Sequence, residues 1–171
     1  MKNYLCKTAF VVCVSMMSTT PVFSQIITAG TPKVLIIDFL YKVYQTNQDA
    51  LGIAKKYIAL QNNPNDFSVD ARYRGVAEHL TLLRKGQTVG QSTTEASRPI
   101  IFNPAKDKVV PYSEVNKLYL VFSLTKEQED NTYVLIENGK PLRYFLVQGD
   151  KIGSFDYMIK GVNGPAYLLG Y

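Results

Sequence analysis

His79 is the single histidine in the chain, and it is the side chain best suited to move a proton near neutral pH. Its sharpest role would be that of a general base in a pocket. It stands at the edge of the stripe Val76, Leu80, Leu83, with no Ser or Asp at a nucleophile spacing nearby. A half-buried, hydrogen-bonded boundary histidine fits that position better. Asp38 sits in Ile36–Ile37–Asp38–Phe39–Leu40, and two residues on from Ile36 is about 200° around a helix, which turns it toward water. Asp156 shares a strand side with Ser154 and Met158, and on an edge strand it would point to solvent.

Other chemistries lack their residues. Cys6 and Cys13 are the only thiols. With one histidine, a transition-metal site is not expected, and neither is any other metal or cofactor. No glycine loop precedes a helix as phosphate binding requires, and there is no Gly-x-Ser-x-Gly elbow, EF-hand loop or paired-histidine helix. Glu127, Glu129 and Asp130 read as a solvated loop rather than a calcium site. Tyrosine is the one excess: there are 12, many of them in strand-like segments. Tyr suits strands in its own right, and it can also line a concave surface that takes a ligand or partner.

The elements that would position these residues begin after an address. Lys2 and Lys7 make a positive start, Thr8–Met17 (TAFVVCVSMM) is an apolar run too short to span a bilayer, and Pro21 interrupts the polar stretch Ser18–Ser24. Val22 and Ser24 then fit the −3 and −1 positions of a cleavage site. Residues 1–24 are therefore read as a signal peptide and 25–171 as one domain, periplasmic or secreted, with no membrane span once the signal is removed. Both cysteines leave with the signal, so thiol catalysis and Cys-based zinc sites go with them. The formal charge of +5 loses two lysines as well. The remaining excess is mild and unclustered, so no nucleic-acid partner is expected. With 46% hydrophobic and 19% charged residues, the chain has the composition of a folded domain rather than a disordered one.

Up to about residue 98 the apolar period is helical, and beyond it the period is two. The spacing predicts a helix over 32–46, with Thr31 as cap and Pro32 in the first turn, burying Ile36, Leu40, Val43 and Tyr44. A second helix follows Asp49, with Ala50, Leu51, Ala54, Tyr57 and Ile58 on one side. The third is capped by Ser68, carries Val69, Tyr73, Val76, Leu80 and Leu83 at steps of three and four, and stops at Gly86. Ile100–Phe102 and Val109–Tyr112 suggest a small hairpin. A β-meander comes next: 117–124, a charged loop, 132–137, the Asn138–Gly139 turn, 142–147, a turn at 148–150, 152–160 and 166–171. The fold class is α+β, three N-terminal helices packed on a curved C-terminal antiparallel β-meander.

That element order, with the helical pair around Phe39–Tyr44 and Lys56–Ile58, resembles the nuclear transport factor 2-like superfamily of cone-shaped folds. The resemblance implies that a pocket acid with Tyr partners could serve isomerisation or dehydration, and Asp156 with Tyr144 or Tyr57 would be the stand-ins. The chain departs from the family in having no tryptophan and no evident strand between its second and third helices.

The functional expectation is an exported, non-enzymatic binding or interaction module of the cell envelope or secreted space. The alternative is a small pocket enzyme of the isomerase or dehydratase type on the same fold, which gathering of Asp156, Tyr57 and His79 in one cavity would favour. Strand 117–124 should turn Leu118, Leu120, Phe122 and Leu124 to the helices and Tyr119 and Val121 outward. Arg143 should mark the outer side of its strand, shared by Phe145 and Val147. An outward set of Tyr119, Val121, Phe145 and Val147 is an apolar excess that a homodimer, an envelope protein partner or a small apolar ligand would cover.

Overall fold

A computed structural model describes residues 31–62, 68–85, 102–115, 122–159 and 166–171. Helix α1 spans Pro32–Gln45, α2 Ala50–Tyr57 and α3 Val69–Arg84. Proline opens α1 where its missing N–H costs nothing, and Thr31 holds the cap position without a side-chain cap bond, contrary to expectation. Asp49 caps α2 by accepting from Gly52 N at 2.8 Å, and Ser68 caps α3 by accepting from Ala71 N at 3.3 Å. Each helix buries one stripe: Ile36, Phe39, Leu40 and Val43 on α1, Ile53, Ala54 and Tyr57 on α2, Val76, Leu80 and Leu83 on α3. Val69, expected in the α3 stripe, is 61% exposed because it heads the helix beyond the packed turns. At the other end Arg84 donates to Val43 O and Gln48 O, tying α3 to the last turn of α1 and to the α1–α2 connection.

Strands β1 (Lys108–Pro111), β2 (Thr132–Glu137), β3 (Lys140–Gln148) and β4 (Lys151–Ser154) form one antiparallel sheet in chain order. The predicted β2–β3 hairpin is present. Asn138 (φ 50°) and Gly139 (φ 77°) supply the two positive-φ positions of its turn. A register slip between Leu135 and Ile136 adds one residue to β3, so that Leu135 opposes Arg143 and Ile136 opposes Pro141.

Three local expectations are corrected, and a fourth falls partly outside the described residues. The second arm of the hairpin expected around 100–112 is β1, which pairs with β2, Val109 opposite Leu135, while residues 100 and 101 of its first arm lie outside the described residues. The stretch 125–131 contains a short helix, α4 (Lys126–Asp130), because Thr125 and Gln128 make a reciprocal capping box. The strand expected over 152–160 breaks at Phe155. Beyond it β5 (Asp156–Ile159) leaves the main sheet and pairs with β6 (Ala166–Leu169) as a separate two-stranded sheet. The Ser154 hydroxyl donates to Asp156 O at 2.9 Å and Arg143 donates to Phe155 O at 3.1 Å, so the bend's carbonyls find partners outside a ladder. Finally, Phe122 does not meet the helices. It bridges to Ala166 and packs on the far side of the sheet.

The four-stranded sheet is therefore covered on both faces. One face, with Leu135, Phe145, Val147 and Ile152, packs on α1–α3 and takes in the Phe155 ring. The other, with Val134 and Tyr144, packs under Tyr112, Phe122 and Ala166. In that second cluster Phe122 and Tyr144 lie 4.4 Å apart between ring centres and Tyr144 and Tyr157 lie 5.8 Å apart, tilted or edge-on as aromatic quadrupoles prefer. Ala59 N donates to Ile152 O at 2.9 Å, so the chain leaving α2 runs beside β4.

Candidate functional site

The break at Phe155 positions the site. It turns Asp156 inward from the start of β5, toward α3 on one side and β3 on the other. Oδ1 accepts from Tyr157 N at 3.0 Å and lies 4.0 Å from Nη1 of Arg143. Oδ2 lies 3.0 Å from Nε2 of His79, and the side chains of His79 and Asp156 are 12% and 7% exposed. The His79 contact is short, but its N–H does not aim along the line to the carboxylate, so the attraction is more electrostatic than a directed hydrogen bond. Arg143 is buried too, and its Nε has no partner among the described residues. A buried charge is tolerable only beside its opposite, and here the guanidinium and carboxylate supply each other.

Tyr171 closes the group. Its hydroxyl lies 3.2 Å from Nδ1 of His79, and its ring stacks on Phe155 at 4.6 Å with planes 20° apart. Burial pushes the Tyr171 phenol well above its ordinary range; the Asp156 charge adds to this and Arg143 opposes it. Its hydroxyl therefore keeps its proton and pairs with Nδ1, as donor or as acceptor according to the imidazole tautomer. Tyr44 and Tyr157 border the same charges, and burial raises both their phenols.

Carboxylate, imidazole and hydroxyl stand in the order of an acid–base relay. The hydroxyl is nevertheless a phenol held away from ionisation, and it is stacked in place. Two described concavities lie elsewhere. One of about 420 Å³ lies between α4 and the β3–β4 turn, lined by Glu127, Gln128 and Gln148 among others. The other, of about 240 Å³, has Val110, Val115, Ile136 and Pro141 between Lys108 and Glu114. Neither is lined by His79, Asp156 or Tyr171.

Of the residues proposed from sequence, His79 and Asp156 come together, and Tyr57 and Tyr144 join neither. The Tyr57 hydroxyl donates to Asp38 Oδ2 at 2.5 Å and accepts from Lys56 Nζ at 2.8 Å, an arrangement between α1 and α2. Asp38, expected in solvent, is thus half exposed and partnered. Tyr144 faces the second cluster, where burial raises its phenol well above the ordinary range, with Tyr157 and Tyr112 adding to the effect. The outward apolar set is corrected at its two described members. Phe145 (0% exposed) and Val147 (4% exposed) point into the helical core, because Arg143 on the same strand side faces Asp156 rather than water. Tyr119 and Val121 lie outside the described residues.

Sequence reasoning missed Arg143 and Tyr171. A signal for the first was present. Arg143, Phe145 and Val147 share one strand side, and an arginine in such a run needs a buried counter-charge. Tyr171 had no comparable signal, since its place depends on how the chain returns over Phe155. Among the described residues no three His, Cys, Asp or Glu side chains gather to hold a metal, and no helix is long and apolar enough to cross a membrane. Compared with known proteins, the chain matches no family model, no curated protein and no solved structure.

Proposed function

We propose that the protein is an exported, non-enzymatic binding or interaction module of the cell envelope or secreted space. The observation that carries this reading is that the groups able to do acid–base chemistry are engaged with one another inside the fold. Asp156 faces His79 and Arg143, and His79 pairs with the Tyr171 hydroxyl. The leader-like layout of residues 1–24 supports export. The concavity of about 240 Å³, with apolar walls between Lys108 and Glu114, is the described surface that suits a small apolar group of a ligand or partner. Kinship with the cone-fold superfamily belongs to this proposal on element order alone.

The alternative, a small pocket enzyme, draws its support from the Asp156–His79–Tyr171 order itself. One experiment separates the two. The tagged full chain and its His79→Gln variant are produced in the source cells, fractionated and cross-linked in place. The module reading expects both proteins in the envelope or medium, cleaved after Ser24, with the same saturable cross-linked partner. Retention in the cytoplasm contradicts it. A folded His79→Gln protein that keeps its location and loses the protein's biological effect supports the enzyme.

A further inference from the structure

Among the described strands β6 pairs with β5 alone, and it is held at its two ends by different means. At the start, Ala166 is fully buried in the aromatic cluster, and its carbonyl accepts from Ser123 N at 3.0 Å. The strand then crosses β5, with Leu169 opposite Asp156, and its side chains at 167–169 are only partly buried. Past Leu169 the backbone runs directly against Gln61. A Cβ at Gly170 would meet the side-chain amide of Gln61, the mobile end of an exposed side chain that can turn aside.

Tyr171 is where this segment is fastened. Its ring stacks on Phe155 and its hydroxyl meets His79. Its main-chain oxygen accepts from Arg72 Nη2 at 2.9 Å and from Gln61 N. Arg72 also donates to Gln61 O at 2.7 Å, so one half-buried guanidinium ties the end of α2's exit segment to the end of β6. These contacts cover Nδ1 of His79, the side of the imidazole that Asp156 does not face.

We infer that residues 166–171 form a strap, hinged at Ala166 and latched at Tyr171, whose local opening bares His79 while the four-stranded sheet stays folded. A strand with a single strand partner among the described residues, bridged to Phe122 at Ala166 and latched by polar contacts at Tyr171, belongs to the low end of the local opening free energies a fold can show. The β2–β3 hairpin, paired on both outer edges and packed on both faces, belongs to the high end.

The test uses the full chain, or the form secreted by the cell, with Tyr171→Phe and Arg72→Gln variants. The first keeps the stacked ring and removes the hydroxyl. The second removes the tie to main-chain oxygens. Amide hydrogen exchange and the rate at which diethyl pyrocarbonate modifies the one histidine are both followed by mass. In the parent, amides of 166–171 should exchange faster than those of 132–148. In either variant, exchange at 166–171 and His79 modification should rise about three- to tenfold, with 132–148 unchanged. Equal rates in the two segments that rise together would show that the strap opens only with global unfolding. Unchanged rates in both variants would show that these contacts latch nothing. Either result overturns the inference. If Tyr171→Phe does not fold, Arg72→Gln carries the same comparison.

Discussion

Nε2 of His79 lies 3.0 Å from Oδ2 of Asp156, and this one approach joins the helical layer to the break between the two sheets. His79 comes from α3 and Asp156 from the first position of β5, 77 positions apart in sequence. Arg143 on β3 and Tyr171 beyond β6 complete the group. Its members therefore come from α3, β3, β5 and the segment past β6, and what it first does is hold them together.

Removing one charge should show how the pair is held. In Arg143→Leu, Asp156 remains buried without its cation and Phe155 O loses its donor. The expected cost is about 3–5 kcal/mol, read from urea unfolding, because an uncompensated buried charge is left behind. Replacing both residues by apolar ones should cost less than the sum of the single changes. Strict additivity would show that Arg143 and Asp156 do not depend on each other.

Phe145 should behave as a core residue. Phe145→Ala is expected to lose about 3–5 kcal/mol, and Phe145→Glu to unfold the domain rather than alter its association. Circular dichroism and light scattering of both variants check this. A folded Phe145→Glu protein would restore the outward placement of that strand side.

Alkaline pH should destabilise the fold. Burial raises the phenols of Tyr171 and Tyr144 in the folded state, so folding favours their protonated, neutral form. A group whose folded value is raised gives its stabilisation fully below the unfolded value, near 10, and loses it as pH rises beyond. Urea midpoints should hold steady up to about pH 10 and fall above it, and the fall should be smaller in Tyr144→Phe. Free ionisation of both phenols near pH 10 with the midpoint unchanged would contradict their burial.

The hairpin turn offers a backbone test. Gly139 has φ 77°, a region that side chains with a Cβ occupy at a cost. Gly139→Ala should lose about 1 kcal/mol with the fold retained, although a Cβ there would meet nothing. No loss would mean the turn adjusts its conformation.

Much of the architecture was legible. The three helices stand out because their apolar stripes recur at steps of three and four, and Ser68 and Asp49 cap as their types suggest. The Asn138–Gly139 hairpin is equally plain, since few dipeptides accept two positive φ angles. What escaped was the strand break. Ile152 to Lys160 reads as one strand because alternation continues through Phe155, and only the long-range Arg143–Phe155 O bond shows why the ladder stops there. The same contact inverted the reading of β3. A charged residue in a strand is ordinarily a sign of the solvent side, and here its counter-charge lies inside. His79 and Asp156 were each visible as candidates, but their meeting depends on that break. The capping box that makes α4 was readable in Thr125 and Gln128, and the surrounding charges hid it.

If His79 and Asp156 serve each other within the fold, neither should contribute fully without the other. A double-mutant cycle of His79→Ala, Asp156→Asn and the pair, read by urea unfolding of the full chain, decides this. Mutual service predicts an interaction of about 1–3 kcal/mol, each single change removing most of what the pair contributes. Effects that add to within about 0.5 kcal/mol would contradict it, and would mean the two side chains lie side by side without stabilising each other.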